Sequence, residues 1–116
     1  LSINTVAIMS NDVIQYPDDS YENMKLFAKN YDFMFPYLFD ESQDVAKQYG
    51  AVCTPDIFGF NNKNSLCYRG RIDSNVMKSG NEKIDRELYN AMVKIKNDGI
   101  GPDKQLNSFG CSIKWK

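Results

Sequence analysis

The residue that most constrains this chain is the proline at position 55. It stands two residues before the apolar run I-F-G-F at 57–60, within the stretch A-V-C-T-P-D-I-F-G-F. A short apolar run bounded by turn residues reads as a buried strand. Proline has no amide hydrogen and a fixed φ, so it is confined to an edge, a strand start or a bulge. Three readings of Thr54-Pro55 stay open at this point: a trans proline that opens the strand, a plain turn, or a cis bond, which only X-Pro tolerates at modest cost. The last would turn the backbone groups before the proline away from the ladder. They could then pair with an extended chain or line a thiol site.

The thiol inventory limits the chemistry. The sequence has three cysteines, Cys53, Cys67 and Cys111, and no histidine. Without histidine there is no Ser-His or Cys-His pair, and the commonest metal ligand is missing. The cysteines are far apart and form no C-x-x-C. An odd number argues against a disulfide framework, and three thiolates leave a structural zinc one ligand short. The expectation is no metal, no cofactor and a reducing, cytoplasmic location. No apolar run approaches the ~20 residues of a membrane span, so no membrane partner is expected.

Charge is unevenly spread. Residues 1–58 hold nine acids against three bases, and residues 59–116 hold six against eleven. The bases of the second half alternate with acids and do not gather into a basic face with interleaved aromatics, so nucleic acid is not an expected partner. At 116 residues the chain is read as a single domain, 1–116. It opens on Leu1 and enters an apolar run at once, which reads as a start within a longer protein.

Along the chain, I-N-T-V-A-I-M at 3–9 predicts a buried strand. Asp19 and Glu22 resemble a capping box for a helix over 20–31, with Tyr21, Met24, Phe27, Ala28 and Tyr31 on its core face. The proline-broken aromatic run 33–39 reads as an edge strand or a packed loop. Asp40 and Gln43 cap a helix over 41–49 that turns Val45, Ala46 and Tyr49 inward and stops at Gly50. The strand at 57–60 and an alternating strand at 65–69 form a hairpin across N-N-K-N. Residues 70–80 read as loop. Ile84, Leu88, Ala91, Met92 and Ile95 mark the longest helix, which ends at Gly99, with Glu82 and Arg86 as an exposed i,i+4 pair. The tail carries Phe109, Cys111, Ile113 and Trp115 and is expected to pack on the body. The order β-α-(β)-α-β-β-α with a packed tail is an α/β arrangement.

These words in sequence, N-D, Y-P-D-D-S, F-P-Y-L-F-D-E, Y-G-A-V-C-T-P-D, Y-R-G-R-I-D and G-C-S-I-K-W-K, resemble the thioredoxin-like AhpC/TSA family. The branch they are most similar to is the peroxiredoxin-like thiol-disulfide oxidoreductases. The resemblance implies a truncated thioredoxin-like fold, of which this chain matches the C-terminal two-thirds or so. It implies that Thr54 and Pro55 form the cis-proline loop beside a redox centre, with Asn11 and Arg71 on the same redox and peptide-binding face and Asp73 in the segment after the hairpin. It implies a thiol or disulfide protein as partner. The family's reactive cysteines lie upstream of the strand that is first here, in a C-x-x-C-type segment at a helix N-terminus, and no residue of this chain matches them. The central strand they accompany is missing too. The strands left beside its place would pair directly, expose edges or exchange with another copy, which implies a homodimer or higher oligomer.

Cys53 is the candidate nucleophile among the remaining thiols, because it adjoins Thr54. Its ordinary role is that of a small buried hydrophobe, and the nearby Asp56 disfavours its thiolate. Cys67 reads as core packing. Cys111 is a candidate secondary thiol, and a disulfide with Cys53 depends on a Cα separation below about 7 Å. Two functions are carried forward. One is an antioxidant thiol-disulfide oxidoreductase of which this chain, lacking the cysteine pair, is an inactive part. The other is a non-catalytic thioredoxin-like module that binds a peptide or protein.

Overall fold

A computed structural model describes residues 3–74 and 85–116. Among the described residues the strands and α-helices follow in the order β1 (Ala7–Met9), α1 (Tyr21–Asn30), β2 (Tyr37–Phe39), α2 (Asp44–Tyr49), β3 (Cys53–Thr54), β4 (Ile57–Phe60), β5 (Leu66–Gly70), α3 (Glu87–Asp98) and β6 (Cys111–Ser112). The chain is an α/β protein. It divides into two units, one drawn from Leu1–Val52 with Ile113–Lys116 and the other from Cys53–Ser112. Among the described residues, no helix is long and apolar enough to cross a membrane.

In the first unit, β1 and β2 run parallel, with Ile8 opposite Leu38, and α1 is the connection that parallel pairing requires. The strand expected over 3–9 is confined to Ala7–Met9. Ile3 and Val6 are exposed, because β2 offers only three residues to pair with. Helix α1 is capped by Ser20, whose Oγ accepts the Asn23 amide at 3.3 Å, so the cap is not the expected Asp19 box. Its expected core face is also smaller. Met24 is buried, but Tyr21, Phe27 and Tyr31 are exposed. Instead, Phe27 meets Tyr31 at a tilt, with ring centroids 4.6 Å apart, and Phe33 edge-on at 5.5 Å. Phe33 in turn contacts Phe35 and Tyr37.

Helix α2 begins three residues later than expected. Asp40 lies ahead of it and still acts as its cap, accepting the Ala46 amide at 2.9 Å and the Val45 amide at 3.3 Å. Gln43 occupies the N-cap position with φ 67°, but its side chain does not cap. It is buried, donates through Nε2 to the carbonyls of Ser10 (2.7 Å) and Lys114 (2.9 Å), and accepts the Lys116 amide at 3.1 Å. The end of the tail, Ile113–Lys116, is therefore fastened within this unit, although of the tail's apolar residues only Ile113 is buried. Of the residues expected to face inward from α2, Ala46 is buried, while Val45 and Tyr49 are exposed. Gly50 ends the helix at φ 70°, a left-handed conformation that glycine adopts without a Cβ penalty.

In the second unit, β4 and β5 form the expected antiparallel hairpin, with a bulge after Gly59 that leaves Cys67 without a direct partner. The turn is closed by Asn61, whose Oδ1 accepts the amides of Lys63 (2.9 Å) and Ser65 (3.0 Å). Helix α3 packs on this hairpin. Tyr68, Ala91 and Ile95 form the buried cluster, with Ile57, Cys67, Leu88 and Met92 against it. Burying a side chain such as that of Ile95 contributes roughly 1.5–3 kcal/mol. The helix stops at Gly99, φ 74°. The expected helix residue Ile84, the Glu82 member of the surface pair and the loop positions 75–80 lie outside the described residues.

Candidate functional site

Cys53 and Thr54 form a short strand of their own, β3, set off from β4 by Pro55 and Asp56. The Thr54-Pro55 bond is cis, the form the resemblance implies there. The partner of β3 is β6, antiparallel, with Ser112 opposite Cys53 and Cys111 opposite Thr54. Thr54 Oγ1 donates to the Cys111 carbonyl at 3.4 Å. Two nominated thiols are thus brought to one ribbon, and both are free. Neighbouring residues on a strand point to opposite faces. Cys53 therefore shares a face with Ser112, and Cys111 shares the other with Thr54. That register does not favour a Cys53–Cys111 disulfide.

Sequence reasoning placed Asp56 near Cys53 but missed the groups that hold its carboxylate. Asp56 is nearly buried at its carboxylate (5% exposed) and pairs with Arg69 of β5 at 3.2 Å. Its other oxygen lies 3.1 Å from the Ser108 hydroxyl. The Arg69 guanidinium lies over the Phe58 ring, 5.0 Å from its centroid. Strand pairing places Arg69 directly opposite Phe58, so a cation enters the surroundings of Cys53 from a distant part of the chain. The Cys53 thiol is nevertheless pushed above its ordinary pKa. Burial contributes most, the Asp56 charge adds to it, and Arg69 only partly offsets them. The protonated thiol is also the form that can donate, and its partner is the Pro55 carbonyl at 3.7 Å. As placed, Cys53 is a poor nucleophile at neutral pH.

Two further nominated residues are engaged elsewhere. Asn11, in the first unit, donates to Asp19 at 3.1 Å and accepts the Lys114 amide at 2.9 Å. Both ends of its amide serve to hold loop and tail. Arg71 points its guanidinium at Glu87 of α3, with Nε donating to Oε1 at 2.5 Å. The pair is about four-fifths buried on both sides. Tyr68 donates to the Arg71 carbonyl at 2.6 Å, which ties this pair to the core. Arg71 is thus a structural residue of the second unit. Cys67 is half-buried against the core cluster, in keeping with packing.

A cleft of about 600 Å³ lies in the first unit, lined by Ile8, Leu38, Asp40, Val45 and Lys116 among others, and it contains none of the nominated residues. Among the described residues, no group of three or more His, Cys, Asp or Glu side chains is placed to hold a metal.

No family model and no curated protein matches the chain. Solved structures similar to it include the following two. One is an uncharacterized conserved protein from Geobacillus kaustophilus, 45% identical, with a TM-score of 0.83 over 97% of this chain and 60% of the other. The second is a hypothetical protein from Sinorhizobium meliloti, 38% identical, with a TM-score of 0.84 over 97% of this chain and 62% of the other. The chain spans about three fifths of the length of each.

Proposed function

We propose that this chain is the partner-binding body of a thioredoxin-like, peroxiredoxin-like thiol-disulfide oxidoreductase. Its task is to present the backbone of Cys53 and Thr54 to an extended segment of a thiol or disulfide protein. The observation that carries this reading is the β3 ribbon itself. There the Cys53-Thr54 backbone pairs antiparallel with an extended, cysteine-bearing segment, next to a free thiol. Strand addition of this kind draws affinity from main-chain hydrogen bonds and specificity from alternate side chains. The Cys53 thiol is raised and the sequence has no C-x-x-C. Redox turnover is therefore not assigned to these 116 residues, and the chain acts as a non-catalytic binding module on its own. The proposed setting is a reducing, cytoplasmic one.

A titration of the isotope-labelled chain with an extended cysteine-containing peptide tests the reading. The expected result is amide shifts concentrated at Cys53, Thr54 and Asp56, with negligible reduction of insulin disulfides by the chain. Shifts confined to the first unit, or none, would sink it. The same assay separates oxidoreductase from pure binding module when run on the longer Geobacillus protein. Disulfide reduction with a dithiol donor favours the former, and binding without turnover the latter.

Association of copies belongs to the same proposal. Ile8 and Leu38 lie opposite each other on β1 and β2 and are 43% and 50% exposed, although parallel strands are normally covered on both faces. A homodimer or higher oligomer would cover them. Sedimentation at micromolar concentration is expected to show more than the monomer mass, and a purely monomeric boundary contradicts it.

A further inference from the structure

The β3 edge is already occupied by the chain itself. Cys111 and Ser112 pair with Thr54 and Cys53, and Gly110, Cys111 and Ser112 are all exposed. The fit is tight at one point. A Cβ placed on Gly110 would run into the Thr54 carbonyl oxygen and would lie 3.0 Å from its carbonyl carbon and 3.5 Å from Pro55 Cδ. The Thr54 carbonyl is backbone and cannot swing aside, so a chain meets this edge with glycine at that position. The segment is held close by its neighbour, since the Ser108 hydroxyl donates to the Gly70 carbonyl at 2.6 Å. The paired stretch is only two residues long on each strand. Ribbons that short open locally without the rest of the fold unfolding.

We propose that residues 110–112 are a built-in occupant of the β3 edge. The partner they exclude is an extended peptide with glycine directly before the residue that faces Thr54, and it binds by displacing them. This rests on the partner-binding reading above and adds the partner's local sequence and the device that regulates access. A tethered occupant competes at millimolar effective concentration. A free peptide meets only the open fraction, and its apparent affinity falls by that fraction.

The test uses the full chain and two fluorescein-labelled hexapeptides, S-F-G-C-S-I, which copies residues 108–113, and S-F-A-C-S-I. Anisotropy is measured with wild type, Gly110→Val and Cys111→Pro, the last because proline cannot donate to a ladder. Amide exchange of the β4–β5 hairpin checks that each variant is folded. The expected result is weak binding of the glycine peptide to wild type, at least about tenfold tighter binding to Gly110→Val, and no binding of the alanine peptide to either. Should Gly110→Val lose its hairpin protection, Cys111→Pro carries the same expectation. Equal affinity for wild type and a folded variant would remove the internal occupant while leaving the peptide surface standing. Equal binding of the two peptides would remove the glycine requirement and overturn the proposal. If no peptide binds any of the three proteins, the partner-binding reading falls and this inference goes with it.

Discussion

Replacing Asp40 with asparagine isolates one carboxylate that organises the first unit. Asp40 is 7% exposed. One oxygen accepts both the Ser10 hydroxyl at 2.8 Å and the Ala46 amide at 2.9 Å, and the other accepts the Val45 amide at 3.3 Å. Burial pushes the carboxyl up. The donors from Ala46, Ser10, Val45 and Gln43 outweigh it and hold the pKa below the ordinary aspartate value. Asparagine keeps the shape and one acceptor, but places an amide against the Val45 N–H. The two short bonds each fall from the roughly 1.5–3 kcal/mol of a charged acceptor towards the ~1 kcal/mol of a neutral one, and the Val45 bond is lost, for a total of about 2 kcal/mol. Because the folded pKa is depressed, the carboxylate's contribution is complete above the unfolded value of ~3.9 and fades as pH falls through the folded value. Trp115, the single tryptophan, lies in the same unit and reports its unfolding. Urea melts followed by its emission should show Asp40→Asn weaker by about 2 kcal/mol at pH 7, with the gap narrowing at pH 3. Equal midpoints at pH 7, or a gap undiminished at pH 3, would refute the assignment.

Other outcomes follow from the same structure. Gln43→Ala removes the three bonds that fasten Ser10, Lys114 and Lys116, at a cost of roughly 2–4 kcal/mol, and a red-shifted Trp115 emission at neutral pH is the readout. Arg71→Ala leaves the Glu87 carboxylate mostly buried, with one oxygen already unpartnered among the described residues. A loss of roughly 3–5 kcal/mol, seen as faster amide exchange across β5 and α3, is expected, and unchanged exchange would show the pair to be idle. Cys111 is exposed and Cys53 half-buried with a raised pKa. Iodoacetamide at pH 7.5 should therefore modify Cys111 well before Cys53, a ranking that mass spectrometry of the digested chain can reverse.

Local signals in the sequence carried the second unit well. The β4–β5 hairpin is bounded by its own turn chemistry, and α3 ends where glycine permits the left-handed residue, so nearby residues decide both. The first unit was less legible. Periodicity groups Tyr21, Phe27 and Tyr31 on one side of α1, but it does not say what covers that side: Phe27 meets Tyr31 and Phe33, and Tyr21 meets Phe39. Strand β1 is short because a strand extends only as far as its partner, which no run of apolar residues reveals. In the site, Cys53, Thr54 and Pro55 were visible because they are contiguous. Arg69 and Ser108 reach Asp56 from 13 and 52 residues away, and nothing in their local sequence announces it. The ion pair of Arg71 was hidden for the same reason, since its carboxylate partner sits on a helix 16 residues later.

A photo-crosslink tests the central claim most directly. An extended peptide with glycine before its cysteine and a benzophenone after it is irradiated with the full chain, and the adduct is located by mass spectrometry. The account predicts attachment within residues 52–56. Attachment to the exposed face of β1 and β2, or scattered labelling that unlabelled peptide does not suppress, would contradict it.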